Sequence, residues 1–452
     1  MIKLNEILIE KIKNKSVKIC IVGLGYVGLP TAVFFAEKGF HVTGCDIKES
    51  FVELVNSGNS PLEDLKLGDR IAKIVSSGAF FATTNTREAV EKNDIILIIV
   101  PTPTGDGFEP DLSYIISAGE SVAKGLHRGH LVILESTVYP GVTEEVLKPI
   151  LEKSGLKTGV DFGLAYCPER YNPGDEEHTI DKVTRVLGST DKQWAETAAE
   201  LYRCITNVYP VANIKTAEMA KIIENTQRDL NIALMNEIAL ICERMGLDVM
   251  EVIKAAATKW NFHVYYPGAG VGGHCLPKDP WYLVKAAEKH GYHAEVITAG
   301  RRINDYMPRH VFELLVKAMN RAGKPIKGSK IVVLGLSYKE NIGDIRNSPS
   351  RILIKEIKEM GGVVYSVDQY IDEKTAAHEF KVDKHFQKLD NVFLDADAIV
   401  LMTAHKEFEK MDFGLIKKEM RVNPVIVDGR MIYQPKEVKK KGFVYEVIGG
   451  GL

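Results

Sequence analysis

The segment GGHCLPKDP, residues 272–280, carries one cysteine between a glycine pair and a Lys-Asp pair. Glycines let a ligand approach closely, and nearby cations or hydrogen-bond donors raise the thiolate fraction of a thiol whose ordinary pKa is about 8.5. Cys275 is therefore a candidate nucleophile, with Lys278 and Asp279 close to it in sequence. The alternative is a packed or exposed thiol without chemistry.

A second pair of reactive side chains lies on a long helical pattern, residues 213–246. Lys221 and Asn225 are spaced i, i+4, so both point from one face of the predicted helix. A cation and an amide placed in this way can hold one oxyanion together. A solvated helix face is the alternative for the pair taken alone.

The stretch VKICIVGLGYVGLP indicates a nucleotide site near the start of the chain. Gly23, Gly25 and Gly28 form GxGxxG, with Tyr26 and Val27 inside the motif, between an apolar strand and a helical pattern. The glycines suit a tight turn, a close pyrophosphate and close helix packing. Asp46 ends the next strand, where a carboxylate binds the ribose hydroxyls and repels a 2′-phosphate. This order of features predicts NAD rather than NADP.

Apolar runs of strand length alternate with helical patterns on both sides of the long helix, which predicts an α/β fold with doubly wound parallel sheets. We expect two Rossmann-like domains joined by a helical domain with one long central helix. The predicted boundaries are 1–207 for NAD binding, 208–322 for the helical domain with the Cys275 loop, and 323–452 for the last α/β domain. The first residues predict a short amphipathic helix.

Composition excludes several classes of partner and location. The 452 residues include 58 basic and 60 acidic side chains, so no net field favours nucleic acid or an anionic membrane. No apolar run approaches the roughly 20 residues that cross a bilayer. Six scattered cysteines form neither a CxxC pair nor a metal-ligand cluster. We expect a reduced cytoplasmic protein without a metal.

The motifs as an ordered set resemble the nucleotide-sugar 6-dehydrogenases, the family of UDP-glucose and GDP-mannose dehydrogenases. The resemblance covers residues from about 17 to 430. Its motifs stand in the family's order: IVGLGYVGLP, VPTPT, ESTVYPGVTEE, YCPERYNPGD, AEMAKIIENTQRD, GVGGHCLPKDP and VLGLSYKENIGDIRNSPS.

The resemblance implies a two-step, NAD-dependent oxidation of a sugar C6 hydroxymethyl group to the acid. Cys275 would attack the intermediate aldehyde, giving a thiohemiacetal and then a thioester that water opens. Lys221 and Asn225 would stabilise the oxyanion, and Asp279 would assist proton movement. Further residues match family positions beside the nicotinamide and its water: Thr102, Thr137 and Glu169.

The resemblance also implies a UDP-sugar site and a homodimer through the long helix. Lys339 and Arg430 match positions that hold the nucleotide diphosphate, for which permanent cations are suited. The predicted substrate-binding set comprises Glu169, Arg170, Lys221, Asn225, Tyr265, Tyr266, Gly272, Lys339 and Arg430. The two tyrosines could equally serve to anchor the glycine-rich loop.

The sugar is less sharply indicated than the reaction. Arg170 after Glu169, and His274 before Cys275, resemble the branch that oxidises UDP-N-acetylglucosamine or UDP-N-acetylmannosamine. Lys278 resembles the UDP-glucose branch instead, and KWNFHVYYPG lacks an arginine often found before this loop. We expect an N-acetylhexosamine, with UDP-glucose as the alternative.

Two other classes remain open from the sequence. A simple hydroxyacid dehydrogenase shares a dinucleotide domain and a long-helix domain, but it oxidises once and needs no thiol. A non-catalytic nucleotide-binding scaffold would keep the fold without the chemistry. The last α/β domain and Cys275 argue against the first, and the intact set of Lys221, Asn225, Cys275 and Asp279 argues against the second.

Overall fold

The structure is a computed structural model that describes residues 4–62, 67–170 and 177–450. The helices are α1 (Leu4–Lys13), α2 (Gly28–Glu37), α3 (Glu49–Asn56), α4 (Gly68–Ser76), α5 (Thr86–Lys92), α6 (Ser113–Ala123), α7 (Lys148–Glu152), α8 (Lys192–Arg203), α9 (Ile214–Met245), α10 (Val249–Ala256), α11 (Asp279–Lys289), α12 (Glu295–Arg321), α13 (Ser350–Glu359), α14 (Glu373–Thr375), α15 (Phe413–Glu419) and α16 (Pro435–Lys440).

The strands form two separate sheets. Those of the first are β1 (Lys18–Val22), β2 (His41–Cys45), β3 (Phe80–Thr83), β4 (Ile95–Ile98), β5 (Leu131–Leu134), β6 (Gly163–Tyr166), β7 (Arg185–Ser189) and β8 (Val208–Pro210). Those of the second are β9 (Lys330–Leu334), β10 (Val363–Val367), β11 (Lys384–Phe386), β12 (Ala398–Leu401), β13 (Val425–Asp428) and β14 (Val444–Val447).

The first sheet has the order β3-β2-β1-β4-β5-β6-β7-β8. The chain leaves β1 towards one edge and returns at β4 on its other side, so the switch in strand order lies between β1 and β4. Nucleotides bind beside the carboxyl ends of the strands at such a switch. The predicted parallel sheet is confirmed with one difference: β7 runs antiparallel to β6, because the chain enters β7 from the edge at which β6 ends.

The second sheet is parallel throughout, with the order β11-β10-β9-β12-β13-β14. It repeats the switch in strand order at β9, whose two neighbours are β10 and β12. This confirms the predicted second Rossmann-like sheet. Its apolar strands are buried on both faces because helices cover each side of a parallel sheet.

Alternation along each strand divides its side chains between two apolar cores. In β1, Ile19 and Ile21 join the core on one face, whereas Cys20 and Val22 join the core on the other. Cys20 and Cys45 are buried, as expected of thiols that act as small hydrophobes. All six cysteines are thiols in the structure.

The long central helix and the N-terminal helix are both present as predicted, as α9 and α1. By its contacts the chain divides into two compact units, the first with residues 1–224 and 281–292 and the second with residues 225–280 and 293–452. The three-domain boundaries at 207 and 322 stay a prediction. Among the described residues, no helix has both the length and the apolar character needed to cross a bilayer.

Candidate functional site

The glycine turn after β1 has the geometry that a dinucleotide needs. Gly23 has a φ of +98°, and a Cβ there would lie 2.3 Å from the carbonyl oxygen of Ile99. A Cβ on Gly28 would lie 1.9 Å from the carbonyl oxygen of Gly23, so only glycine lets α2 begin this close to the turn. At Gly25 a Cβ would meet nothing within 4 Å, which leaves space for a ligand. The turn at Gly23 and the close packing at Gly28 match the predicted geometry, and the pyrophosphate contact at Gly25 stays a prediction.

The helix that follows the turn begins without a side-chain cap at Val27. Its first backbone N–H groups and the positive end of its dipole can therefore bind a pyrophosphate. Asp46 follows β2 directly, and its two carboxylate oxygens accept from the backbone N–H groups of Leu24, at 3.1 Å, and Lys48, at 3.0 Å. These two bonds hold the carboxylate beside the glycine turn. Each oxygen keeps a lone pair for a ribose hydroxyl.

The loops after β4 and β5 are joined at the same edge of the first sheet. Ser136 Oγ donates to the carbonyl oxygen of Val100 at 2.8 Å and accepts from its backbone N–H at 2.9 Å. These bonds link the loop with Thr102 to the loop with Thr137. The buried Thr102 also accepts at its carbonyl oxygen from the hydroxyl of Tyr282, at 2.6 Å. Both predicted threonines thus lie on loops at the nucleotide edge.

Glu169 lies just beyond β6 and belongs to a buried ionic network. The guanidinium of Arg185, on β7, pairs with the carboxylates of Glu169 and Glu135, the latter at 2.8 Å. Glu135 also accepts from the hydroxyl of Tyr202 at 2.6 Å. Burial raises the pKa of Glu135, whereas Arg185 opposes the rise. Burial acts to lower the pKa of Arg185, but the two carboxylates hold it well above its usual value.

Arg170, the predicted substrate contact next to Glu169, is also part of an ion pair. Its guanidinium donates to both carboxylate oxygens of Glu224, at 2.7 and 3.2 Å, and to the carbonyl oxygen of Thr184, at 2.6 Å. Glu224 lies on α9 between Lys221 and Asn225 in sequence. The arginine therefore ties the loop after β6 to the helix that carries the predicted oxyanion pair.

In the second unit, Cys275 stands at the turn that begins α11. Its carbonyl oxygen accepts from the backbone N–H groups of Lys278, at 3.0 Å, and Asp279, at 2.8 Å. The half-buried thiol lies 3.9 Å from Nδ1 of His274. Burial, with the nearby charge of Lys278, lowers the pKa of His274 to about 3. The imidazole is therefore uncharged at neutral pH.

Two predicted site residues meet directly beside this turn. Asn225 Nδ2 donates to Oδ2 of Asp279 at 2.6 Å. The other oxygen of the buried Asp279 carboxylate lies 3.8 Å from Nζ of the buried Lys278. The structure thus brings Asn225, Asp279 and the Cys275 turn together within one unit. Thr137, Glu169 and Lys221 belong to the other unit, with Lys221 one turn before Asn225 on α9.

The glycine loop, residues 267–273, packs tightly against other residues of the second unit. A Cβ on Gly272 would lie 2.5 Å from Cβ of Tyr338. Gly273 donates its N–H to the carbonyl oxygen of Arg346 at 2.9 Å, and its carbonyl oxygen accepts from Nδ2 of Asn347 at 2.9 Å. Gly272 is thus required for close packing, in addition to its predicted contact with substrate.

The remaining predicted substrate contacts lie around this loop in the same unit. Tyr265 packs against the apolar core, as expected of an anchor, whereas Tyr266 is exposed. Arg430 pairs with Glu340 at 2.5 Å, and a Cβ on Gly268 would lie 3.1 Å from its guanidinium. Lys339 is half-buried in the loop after β9. Residues 171–175 of the CPERYNPGD motif lie outside the described residues.

Sequence reasoning missed the residues that hold the predicted ones in place. Arg185 neutralises the Glu169 carboxylate, and Glu224 fixes Arg170. The sequence does contain one sign of a buried cation, because the basic residue Arg185 directly precedes the apolar run VLG. Its carboxylate partners stand 16 and 50 residues away, so spacing gave no sign of the pairing.

Family models cover most of the chain. The NAD binding domain of the UDP-glucose/GDP-mannose dehydrogenase family matches residues 17–206. The central domain of that family matches residues 215–306, and its UDP binding domain matches residues 332–435. The three matches follow one another in the order of the predicted nucleotide, helical and diphosphate-binding segments.

Individual relatives match over nearly their full length. The chain is 41% identical over 417 residues to the UDP-N-acetyl-D-glucosamine 6-dehydrogenase of Pseudomonas aeruginosa, covering 92% of this chain and 96% of that protein. It is 38% identical over 436 residues to the UDP-N-acetyl-D-mannosamine dehydrogenase of Pyrococcus horikoshii, covering 96% and 99%.

A solved structure agrees with these relatives. The UDP-D-ManNAc dehydrogenase from Pyrococcus horikoshii superposes with a TM-score of 0.88 at 37% identity, covering 96% of this chain and all of that one. Relatives of this identity and coverage share their fold and family with this chain. The chain therefore belongs to the UDP-glucose/GDP-mannose dehydrogenase family, and it is an NAD-dependent nucleotide-sugar dehydrogenase.

Proposed function

We propose that this enzyme oxidises C6 of a UDP-N-acetylhexosamine twice, to the uronic acid, through a covalent intermediate on Cys275. The observation that carries the mechanism is the hydrogen bond between Asn225 and Asp279 at the Cys275 turn. It places an amide donor and a carboxylate beside the segment that holds the thiol. The N-acetylhexosamine is supported by the names of the relatives from Pseudomonas aeruginosa and Pyrococcus horikoshii.

The glycine turn and Asp46 would hold NAD, and two NAD molecules bound one after the other would supply the acceptors for the two hydrides, one from the alcohol and one from the thiohemiacetal. The thiolate of Cys275 adds to the aldehyde carbon, and the carbonyl π electrons move to oxygen. Lys221 and the amide of Asn225 stabilise this oxyanion, a role worth about 3 to 4 kcal/mol for one well-placed donor. Water then opens the thioester, so the thiol is released with the uronic acid.

Other charged residues have supporting roles in this proposal. Asp279 accepts and returns protons, and Glu169 and Thr137 hold the attacking water. Lys339 and Arg430 bind the diphosphate of UDP, with Tyr265, Tyr266, Gly272 and Arg170 around the sugar. His274 is uncharged near neutral pH, so it does not supply the positive charge that would favour the thiolate.

The deciding experiment is the number of NADH molecules formed per sugar consumed. Purified enzyme with excess NAD receives limiting UDP-N-acetylglucosamine, UDP-N-acetylmannosamine or UDP-glucose in separate reactions. We expect two NADH per sugar from an N-acetylated substrate, because the aldehyde remains bound to the thiol for the second oxidation. Two NADH per sugar from UDP-glucose alone would identify UDP-glucose as the substrate and would leave the proposed mechanism unchanged. One per sugar would refute the covalent second step, and no turnover with any of the three would indicate a different nucleotide sugar as the substrate.

Replacing Asp46 with alanine should shift cofactor preference from NAD towards NADP. The carboxylate lies beside the glycine turn, so its loss removes both the ribose acceptor and the repulsion of a 2′-phosphate. We expect kcat/KM for NAD to fall about tenfold or more, because one or two charge-assisted hydrogen bonds to the ribose are lost. The value of kcat/KM for NADP should rise. The exposed Asp69, on α4, supplies the control Asp69→Ala, which should leave both values unchanged. An unchanged NAD/NADP ratio in Asp46→Ala would remove Asp46 from the cofactor site.

A homodimer through α9 belongs to the same proposal. Exposed apolar side chains at positions 219, 223, 234, 241 and 245 fall on one face of the helix, within about 80° at 100° per residue. A second copy would cover this stripe. We expect light scattering to give twice the chain mass and Leu234→Lys to lower it, whereas Val422→Lys, at an exposed site off the helix, should not. A monomeric mass for the unaltered protein would contradict the dimer.

A cytoplasmic location, in keeping with six thiols, is also proposed.

A further inference from the structure

The segment with the proposed nucleophile is held to α9 at both of its ends. At its start, the backbone N–H of Gly268 donates to Oδ1 of Asn236 at 2.9 Å. At its end, Asp279 accepts from Asn225 at 2.6 Å. All four residues belong to the second unit. We call residues 268–279 the Cys275 segment.

The spacing of the two attachments is the same on the helix and on the segment. Asn225 and Asn236 are 11 residues apart, and so are Gly268 and Asp279. Eleven residues of α-helix return to within about 20° of the same face and rise about 16 Å. The two asparagines therefore face the segment from one side of α9, three turns apart.

Asn236 is itself fixed by a buried chain of polar side chains. Its Nδ2 donates to Oδ1 of Asn304 at 2.8 Å, and Asn304 Nδ2 donates to Oδ1 of Asp229 at 2.8 Å. Arg301 Nη1 pairs with the same oxygen of Asp229 at 2.6 Å. Because the NH₂ group of Asn236 donates to Asn304, the amide oxygen of Asn236 is directed towards Gly268. The four side chains of this polar network are almost completely buried.

A buried polar network of this kind costs desolvation that an apolar core would not. Such a network can specify one arrangement of the elements that it joins, and here its last member contacts the backbone of the glycine loop. The loop also lies against the guanidinium of Arg430 at Gly268. A shift of Gly268 would therefore disturb both the proposed diphosphate contact and the approach to Cys275.

We propose that Asn236 is a positioning residue of the reaction, which with Asn225 sets the place of the Cys275 segment along α9. The assignment depends on the proposed role of Cys275 as the nucleophile. Asn236 acts through Gly268 and needs no contact with substrate. Asn225, by contrast, has a proposed contact with the oxyanion.

The test compares Asn236→Ala with Asn304→Ala. Both break the same buried network, but only the first removes the acceptor of the Gly268 N–H. We expect kcat/KM for the UDP-sugar to fall about 100-fold in Asn236→Ala, as for a reacting group misplaced by about 1 Å, and much less in Asn304→Ala. The rate at which iodoacetamide blocks Cys275 should rise only in Asn236→Ala, because the half-buried thiol becomes more accessible. Equal values of both quantities in the two variants would overturn the proposal.

Asn236→Asp is the conservative variant and decides the matter if Asn236→Ala does not fold. Its carboxyl keeps an oxygen towards the Gly268 N–H in either protonation state, whereas the similarly sized Asn236→Leu has no acceptor there. We expect kcat/KM of Asn236→Asp to lie at least about tenfold above that of Asn236→Leu. Equal kcat/KM values in these two variants would overturn the proposal. Two NADH per sugar from Cys275→Ser would instead refute the proposed function, independently of any Asn236 variant.

Discussion

Replacing Cys275 with serine should abolish the double oxidation. A hydroxyl of ordinary pKa is a far weaker nucleophile than a thiolate, so the aldehyde is no longer captured and no thioester forms. We expect kcat for the uronic acid to fall on the order of 10⁴-fold or more, as in enzymes that lose their nucleophile. Binding of the UDP-sugar should change little, because the substitution replaces only the thiol sulphur.

The measurements are the rate of NADH formation and the uronic acid released, both from one N-acetylated UDP-sugar. The half-buried Cys204, on the first unit, supplies the matched control Cys204→Ser, which should keep two NADH per sugar. A Cys275→Ser enzyme that still forms two NADH per sugar within tenfold of the normal rate would eliminate the thiol from the mechanism. Such a result would not contradict the proposed NAD site or the proposed UDP site.

Replacing Arg185 with alanine should have the largest effect on stability. The substitution leaves the carboxylates of Glu135 and Glu169 buried without their counter-charge. Breaking a buried pair in this way costs about 3 to 5 kcal/mol of the free energy of unfolding. Activity should fall as well, because Glu169 belongs to the proposed site. Arg203→Ala, which breaks an exposed pair with Glu196 and Glu200, should cost about 1 kcal/mol or less.

The stability lost in Arg185→Ala should depend on pH. Burial already raises the pKa of Glu135, and Arg185→Ala removes the guanidinium that opposes this rise. A group with a raised folded pKa contributes stability that is present at low pH and lost as the pH rises through that pKa. The deficit measured by urea unfolding should therefore shrink as the pH is lowered towards 5. A deficit below about 1 kcal/mol at neutral pH would mean that the network contributes no stability.

The candidate site divides into residues that local sequence could indicate and residues that it could not. Gly23, Gly28 and Asp46 stand at fixed spacings within one strand-turn-helix-strand unit, so their geometry follows from local structure. Asn225 and Asp279 are 54 residues apart, and their hydrogen bond is a product of folding. Their types indicated chemistry, but only the fold brought them into contact.

Asn236 shows why supporting residues escape such reasoning. With Asn225 and Asp229 it forms a polar row on α9 at i, i+4 and i+11, which is a visible pattern. The same pattern is typical of a solvated helix face, because polar side chains on a helix usually face water. The partners Asn304 and Gly268 come from other elements, and burial among them turned a surface pattern into a network.

The sequence by itself determined the α/β class, the nucleotide turn, the long central helix and the identity of the thiol segment. These features depend on periodicity, on glycine conformations and on residue order, all of which are local properties of the chain. The tertiary structure decided the antiparallel β7, the pairing of Arg185 with two distant carboxylates and the attachment of the Cys275 segment to α9. Each of these depends on which distant elements pack together and on the cost of leaving a buried polar group unpaired.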